Sequence, residues 1–411
     1  MRCFSAAVVA FWLLSQARTP AQADPPPTPP ATRAEALEAL RAARERSLGV
    51  EQRHWLERAL FFVEEKRVLD RLNPPEGFYP RFGSVTRGGG LVFGAGYRRR
   101  PARGRVLLDA SGAWTHRGYK TAQARVSAQP LAGRPVDVSV GTVWYDFTQE
   151  DFYGLGRATR RVDRVSYRLE GLDTFAQLQA RPAGWLVVGG RVGLHRQTID
   201  SGTDPNFPSV EERFGDETAP GLRGAPTFAY AQASAGVDTR DQPDHTRGGG
   251  LHYLSFGMFR DRGGRFDFNR IDLQSMQVIP IFDKKRGVAL HAMASRIDPV
   301  GSSGVPFYVM PTVGGADSMR GFREFRFRDA AAVNLNAEYR WEAISGLDLA
   351  LFVDAGDVGP TWRSLVGADL RTSWGGGFRF STNRRVFLRV DIAGGREGWR
   401  IWANTGQVFA Q

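Results

Sequence analysis

Cysteine is almost missing from this sequence. The single residue, Cys3, sits in an opening stretch that reads Met1-Arg-Cys-Phe-Ser-Ala-Ala-Val-Val-Ala-Phe-Trp-Leu-Leu14, with Ala21-Gln22-Ala23 after it. An early positive charge, a short apolar run and an A-x-A site form a secretory signal, which assigns residues 1–23 to a signal peptide. Cys3 is too near the start for lipid attachment and leaves with the signal, so the mature chain has no disulfide and no cysteine-based metal site. Long apolar runs are missing too. A membrane-spanning helix takes about 20 apolar residues, and neither the signal nor any later stretch reaches that length.

Lysine is scarce beside arginine, and the formal charge of +12 falls to +10 once Arg2 and Arg18 leave with the signal. The arginines are scattered rather than gathered on one element, and an exported chain does not meet nucleic acid, so the charge reads as lumen and rim. Metal and cofactor signatures are absent. His54, His116, His195, His245, His252 and His291 include no pair at the i, i+4 spacing of a helical metal site, and there is no phosphate-binding loop, EF-hand loop or G-x-S-x-G elbow. His252 and Ser255 come nearest to the Ser-His pair of an outer-membrane lipase, but their spacing on one strand sets them on opposite faces. The expectation is a chain that is not an enzyme, with no metal and no small-molecule cofactor.

Glycine, at 48 residues, and aromatics, at 11%, are plentiful. Residues 24–31, Asp-Pro-Pro-Pro-Thr-Pro-Pro-Ala, form a proline-rich linker that can join neither helix nor ladder. Residues 32–76 turn helical, with Leu37 and Leu40, then Leu56, Ala59, Leu60 and Val63, ended by Asn73-Pro-Pro75. This periplasmic segment either packs at a barrel mouth or hangs as a loose tail.

From Gly77 to Gln411 the chain breaks into runs of about 10–15 residues divided by Gly, Pro, Asp or Arg clusters, the spacing of an antiparallel meander. In 331–342, Val333, Leu335, Ala337, Tyr339 and Trp341 share one face, and Asn334, Asn336, Glu338, Arg340 and Glu342 share the other. Residues 347–355 set Leu347, Leu349, Leu351 and Val353 against Asp348 and Asp354; 385–392 set Val386, Leu388, Val390 and Ile392 against Arg389 and Asp391. Alternation of this kind also suits a soluble sandwich. The export signal, the uniform apolar face, and Trp114, Trp341 and Trp399 near strand ends favour a closed barrel in lipid, which leaves no backbone group unpaired. Fifteen strands are readable between 88 and 410. Placing long connections (149–161, 200–224, 299–330, 357–371) outside and short ones (182–183, 282–285, 343–346, 382–384) inside demands one more, at 77–86. The fold class is thus all-β, a transmembrane barrel of about sixteen strands. The run Arg98-Arg-Arg100 with Arg103 and Arg105 falls in a periplasmic turn, where it is solvated or meets acidic lipid headgroups.

The longest external connection contains Val313-Gly-Gly-Ala-Asp-Ser-Met-Arg-Gly-Phe322, and the second strand after it carries Leu351-Phe-Val-Asp-Ala-Gly-Asp-Val358. Upstream stand Asp151-Phe-Tyr-Gly-Leu-Gly156 and Val237-Asp-Thr-Arg-Asp241, the latter followed by Pro243 and Gly248. In this order the motifs resemble the bacterial surface antigen family, the superfamily of outer-membrane assembly factors and two-partner secretion transporters. The resemblance covers about Gly77 to Phe409. It implies that loop 299–330 folds into the lumen and that Met319, Arg320, Gly321 and Phe322 form a tip held against the inner wall. A lumen guanidinium seeks a fixed carboxylate; Asp354 points inward by parity, with Glu338 on the adjacent strand, which makes these the expected partners of Arg320.

Two departures stand out: Met319 replaces the family's usual Val, Ile or Leu, and residues 24–76 offer helices where relatives carry POTRA modules, so the chain reads as a POTRA-less branch. The C-terminal assembly signal is read through Trp399, Ile401 and Phe409, with Ala410 and Gln411 beyond. The aspartates 354 and 357 suggest acid/base or calcium chemistry less than structural pairing, one pointing inward and the other opening a loop. Two functions follow from the resemblance. The barrel aids insertion or translocation of client polypeptides through a lateral seam beside Gly406, or it is a structural or passive-pore barrel. Outer-membrane lipid is the partner in both.

Overall fold

The computed structural model describes residues 72–405 apart from 83–84, 87, 129–135, 283 and 383–384. The signal, the linker and the two expected helices, with Gly406 and Phe409, lie outside the described residues.

The alternating runs become strands: β1 (Gly77–Arg81), β2 (Val92–Arg99), β3 (Val106–Thr115), β4 (Lys120–Ala128), β5 (Val136–Phe152), β6 (Val165–Ala183), β7 (Leu186–Ser201), β8 (Thr227–Asp238), β9 (Gly249–Asp261), β10 (Phe268–Ile281), β11 (Arg286–Pro299), β12 (Ala331–Ile344), β13 (Leu347–Gly359), β14 (Arg371–Ser381), β15 (Val386–Gly395) and β16 (Gly398–Asn404). They form one sixteen-stranded sheet in sequence order, every neighbour antiparallel. The number and order match the sequence reading, including the short first strand.

Burial decides between sandwich and barrel. On β12, Asn334, Asn336 and Glu338 are buried while Leu335 is 43% exposed; on β13, Asp354 is buried while Leu351 and Val353 are 57% and 53% exposed. A soluble fold would bury the other face. Polar residues inside and an apolar belt outside are the pattern of a transmembrane β-barrel.

Contacts between strands far apart in the sheet show the curl. Arg161 donates to the Glu397 carbonyl at 3.2 Å, Arg157 pairs with Asp357 at 2.9 Å, and Arg371 donates to the Arg157 carbonyl, so the connection after β5 reaches β13–β16. At the opposite end, the connection 239–248 bends over the short turns. His245 Nδ1 lies 3.1 Å from the Thr382 carbonyl, Val386 donates to the Asp244 carbonyl at 3.1 Å, and Arg247 meets Asp348 and Glu342. The Val237–Asp241 motif anchors this bend, because Asp238 accepts from Arg240 at 2.8 Å and from Arg181 at 3.1 Å.

Four local readings change. β5 runs on to Phe152 rather than stopping near 147, because an extra residue between Phe147 and Glu150 forms a β-bulge. The bulge reverses parity and turns Glu150 and Phe152 inward beside Tyr167 and Val165. Asp357 does not open a loop; it lies within β13, buried, where Arg157 and Arg371 neutralise it. Arg98 and Arg99 belong to β2 rather than to the turn, and Arg98 reaches the Asp109 carboxylate. Strand β1 ends at Arg81, and β2 starts only at Val92.

Candidate functional site

The connection Val300–Ala330 does not stand out into solvent. Its first half carries Phe307 and Tyr308 into a cluster with Phe152, Val165, Tyr167 and Val210. Its second half is clamped by a two-residue ladder pairing Thr312–Val313 with Phe327–Arg328. The Asp151–Gly156 motif receives it there: Gly156 donates to the Arg328 carbonyl at 2.9 Å, and Asp151 holds Arg164 at 2.7 Å.

Between the two ladder pieces the tip reaches the inner wall. Arg320 Nη2 and Nε donate to Asp354 Oδ1 and Oδ2 at 2.7 and 3.1 Å, and Nη1 donates to Glu338 at 2.7 Å. The Arg320 backbone N–H adds a further bond to Asp354 at 3.0 Å. The guanidinium carbon lies 3.3 Å from the centre of the Phe352 ring, so its face is covered as well as its edges. Arg320, Asp354 and Glu338 are all fully buried. The fork-to-fork geometry is one that arginine satisfies and lysine does not.

The neighbours of the tip are fixed in turn. Met319 and Phe322 pack with Val313, Phe327, Ala332 and Val358. A Cβ on Gly321 would lie 2.5 Å from the Ser373 Cβ and 2.8 Å from the Gly394 carbonyl, so only glycine fits without displacing β14 or β15. Asp354 also accepts from Asn336 at 2.8 Å and from Ser373 at 3.2 Å.

Charge is balanced through a wider network. Glu338 also binds Arg340 at 2.6 Å and Arg379 at 2.9 Å, while Asp391 binds Arg379 at 2.6 Å and Arg389 at 3.1 Å. Arg389 reaches back to the loop, to Asp317 at 2.9 Å and the Ala316 carbonyl at 3.0 Å. Burying so many charges gains little net stability over an apolar core, but removing one member strands its partners in low dielectric.

The structure therefore brings together Met319, Arg320, Gly321, Phe322, Asp354 and Glu338. Trp399 and Ile401 lie elsewhere, on the outward face of β16. Arg379, Asn336, Ser373, Phe352 and Trp402 join the site without having been singled out, and Arg389 and Asp391 were legible only as one polar face. His252 and Ser255 are apart: His252 bonds to Ser275 at 2.8 Å, whereas Ser255 lines a lumen cavity. Among the described residues no cluster of three metal-ligating side chains occurs.

A model described as the Omp85 superfamily domain matches residues 223–395, which span β8 to β15 and the whole lumen loop. No curated protein matches. Among solved structures, the chain is similar to BamA from Haemophilus ducreyi lacking POTRA domains 1–3, with 15% identity, a TM-score of 0.58 and coverage of 80% of this chain and 69% of that one. It is also similar to CdiB from Escherichia coli, with 13% identity, a TM-score of 0.52 and coverage of 81% of this chain and 62% of that one. At these identities the likeness is one of fold. The matched span contains the Met319–Phe322 tip and the Asp354 and Glu338 that hold it, so this part of the barrel, β8 to β15, is similar to the Omp85 superfamily domain.

Proposed function

We propose that this barrel inserts or translocates polypeptides at the outer membrane through the seam between β1 and β16, while the lumen loop keeps the wall from β12 to β16 in register. One observation carries the reading. The described ladder begins with a strand of 5 residues, β1, against 17 and 19 for β5 and β6. A short terminal strand makes a weak junction, and an edge with unpaired N–H and C=O groups is a template for an incoming strand. No covalent step is involved, so the barrel works without acting as an enzyme. Its partners are outer-membrane lipid, which meets the apolar belt, and client polypeptide, which meets the seam. The tip residues and Asp354 serve to hold the wall beside the opening.

A passive pore is the second reading. Two polar lumen cavities of about 970 and 910 Å³ border β1–β11 and share Gln179 and Arg191 in their linings, so the loop, which lines the first of them, leaves lumen space unfilled.

A cysteine-pair scan between 77–81 and 400–405 separates the two, in a mature chain that has no cysteine of its own. If cross-linking abolishes client assembly while the barrel keeps its heat-modifiable band, the seam is the working part. Unchanged assembly with the seam closed removes that reading in favour of the pore.

A further inference from the structure

The last hairpin, β15–β16, borders the proposed seam and closes the described ladder. Strand β16 pairs with β15 over 7 residues and ends the described ladder. Its outward side chains Trp399 and Ile401 are 64% and 73% exposed, and of these Trp399 meets another strand, edge-on to Trp374 at 5.1 Å.

From the inside the same hairpin is gripped by the lumen loop. The Trp402 indole N–H donates to the Arg320 carbonyl at 2.6 Å, so the residue whose side chain binds Asp354 offers its backbone to the final strand. Arg326 binds Glu397, in the turn between β15 and β16, at 2.7 Å. Gly321 comes close enough to the backbone at Gly394 that no side chain fits between them.

We infer that Trp402 is a positioning residue that latches β16 to the lumen loop, so that the seam edge moves outward only when the indole releases the Arg320 carbonyl. The physical basis is the asymmetry of the indole. Its ring packs as an apolar body, but it carries one donor and no acceptor, and when buried that donor needs a fixed partner. A carbonyl made rigid by four hydrogen bonds from its own residue to the wall and by the Phe352 ring is such a partner, whereas the neighbouring strand edge is not. The use of this latch by a client rests on the seam reading above; the latch itself does not.

The test is hydrogen exchange of the full-length protein in lipid nanodiscs. Trp402→Phe keeps a ring and loses the donor. The expected result is that amides of 398–404 exchange about fivefold faster, the effect of one net hydrogen bond, while those of 286–299 are unchanged. Unaltered exchange in 398–404 overturns the latch. So does equal acceleration everywhere, which would report a general loss of packing. If the variant does not assemble, the indole N–H of Trp402 is followed by nitrogen-labelled tryptophan spectra of the unsubstituted protein: slow exchange supports the latch and immediate exchange overturns it. Neither readout needs a client. A latch found together with an inert seam cross-link would refute the proposed function alone, and a blocking cross-link with no latch would refute this inference alone.

Discussion

Arg320 keeps a full charge in a place with no exposed surface, and it does so because every direction from the guanidinium ends in a fixed acceptor or an aromatic face. Asp354→Ala removes the acceptors of Nε, Nη2 and the backbone N–H together. We expect this substitution to cost about 3–5 kcal/mol, the penalty of stranding a buried charge, read as a lower temperature for loss of the heat-modifiable band. An unchanged band would show that the pairing does not hold the loop. The Arg320–Asp354 contact was legible because the family resemblance implies that the Arg320 tip enters the lumen and strand parity turns Asp354 inward. Glu338 followed from the same rule. Arg379 and Arg389 obey it too, but which inward charges meet depends on the stagger of strands around the barrel, and that is not written in any one strand. Trp402 was hidden for another reason: tryptophan counts as apolar in an alternation pattern, yet here it faces inward, among Arg400 and Asn404, while Trp399 and Ile401 face lipid.

At the scale of elements, alternation gave the strands and connection lengths gave their count, since a meander that begins and ends on the periplasmic side needs an even number. The bulge in β5 escaped because Thr148-Gln149 carries no glycine or proline to mark it. Its effect is large. It keeps Phe152 in contact with Phe307 at 4.5 Å between ring centres and Tyr167 against Phe307 at 5.1 Å, so the loop's first half docks on β5 and β6. Phe152→Ala removes the ring that the bulge turns toward Phe307. The expected cost is about 3–5 kcal/mol, that of truncating a buried Phe, with added protease sensitivity between 300 and 312. Wild-type stability and wild-type cleavage in that variant would show that this contact does not position the loop.

Over the whole molecule, interior and exterior have exchanged the roles they hold in a soluble protein. The polar network does the packing inside, and the apolar residues serve as the outer surface toward lipid. The overall architecture could be read from sequence because that inversion keeps period 2 intact. The resemblance put loop 299–330 in the lumen, but its path there could not be read, since that path is set by contacts between segments far apart, such as Arg326 with Thr159 and Glu397.

Every wall partner of the Arg320 tip is downstream of it: Glu338 by 18 residues, Asp354 by 34 and Trp402 by 82. Joining β1 to β16, by contrast, spans nearly the whole barrel sequence. Loop closure over a short separation costs less entropy and proceeds sooner than over a long one. The tip is therefore a nucleus around which the last five strands can gather before the ring is complete, with the loop enclosed as the wall forms and never threaded into a finished barrel. Pulse-labelled refolding into detergent should show protection of 331–404 ahead of 77–99; the reverse order would mean that the wall closes first and the loop enters afterwards.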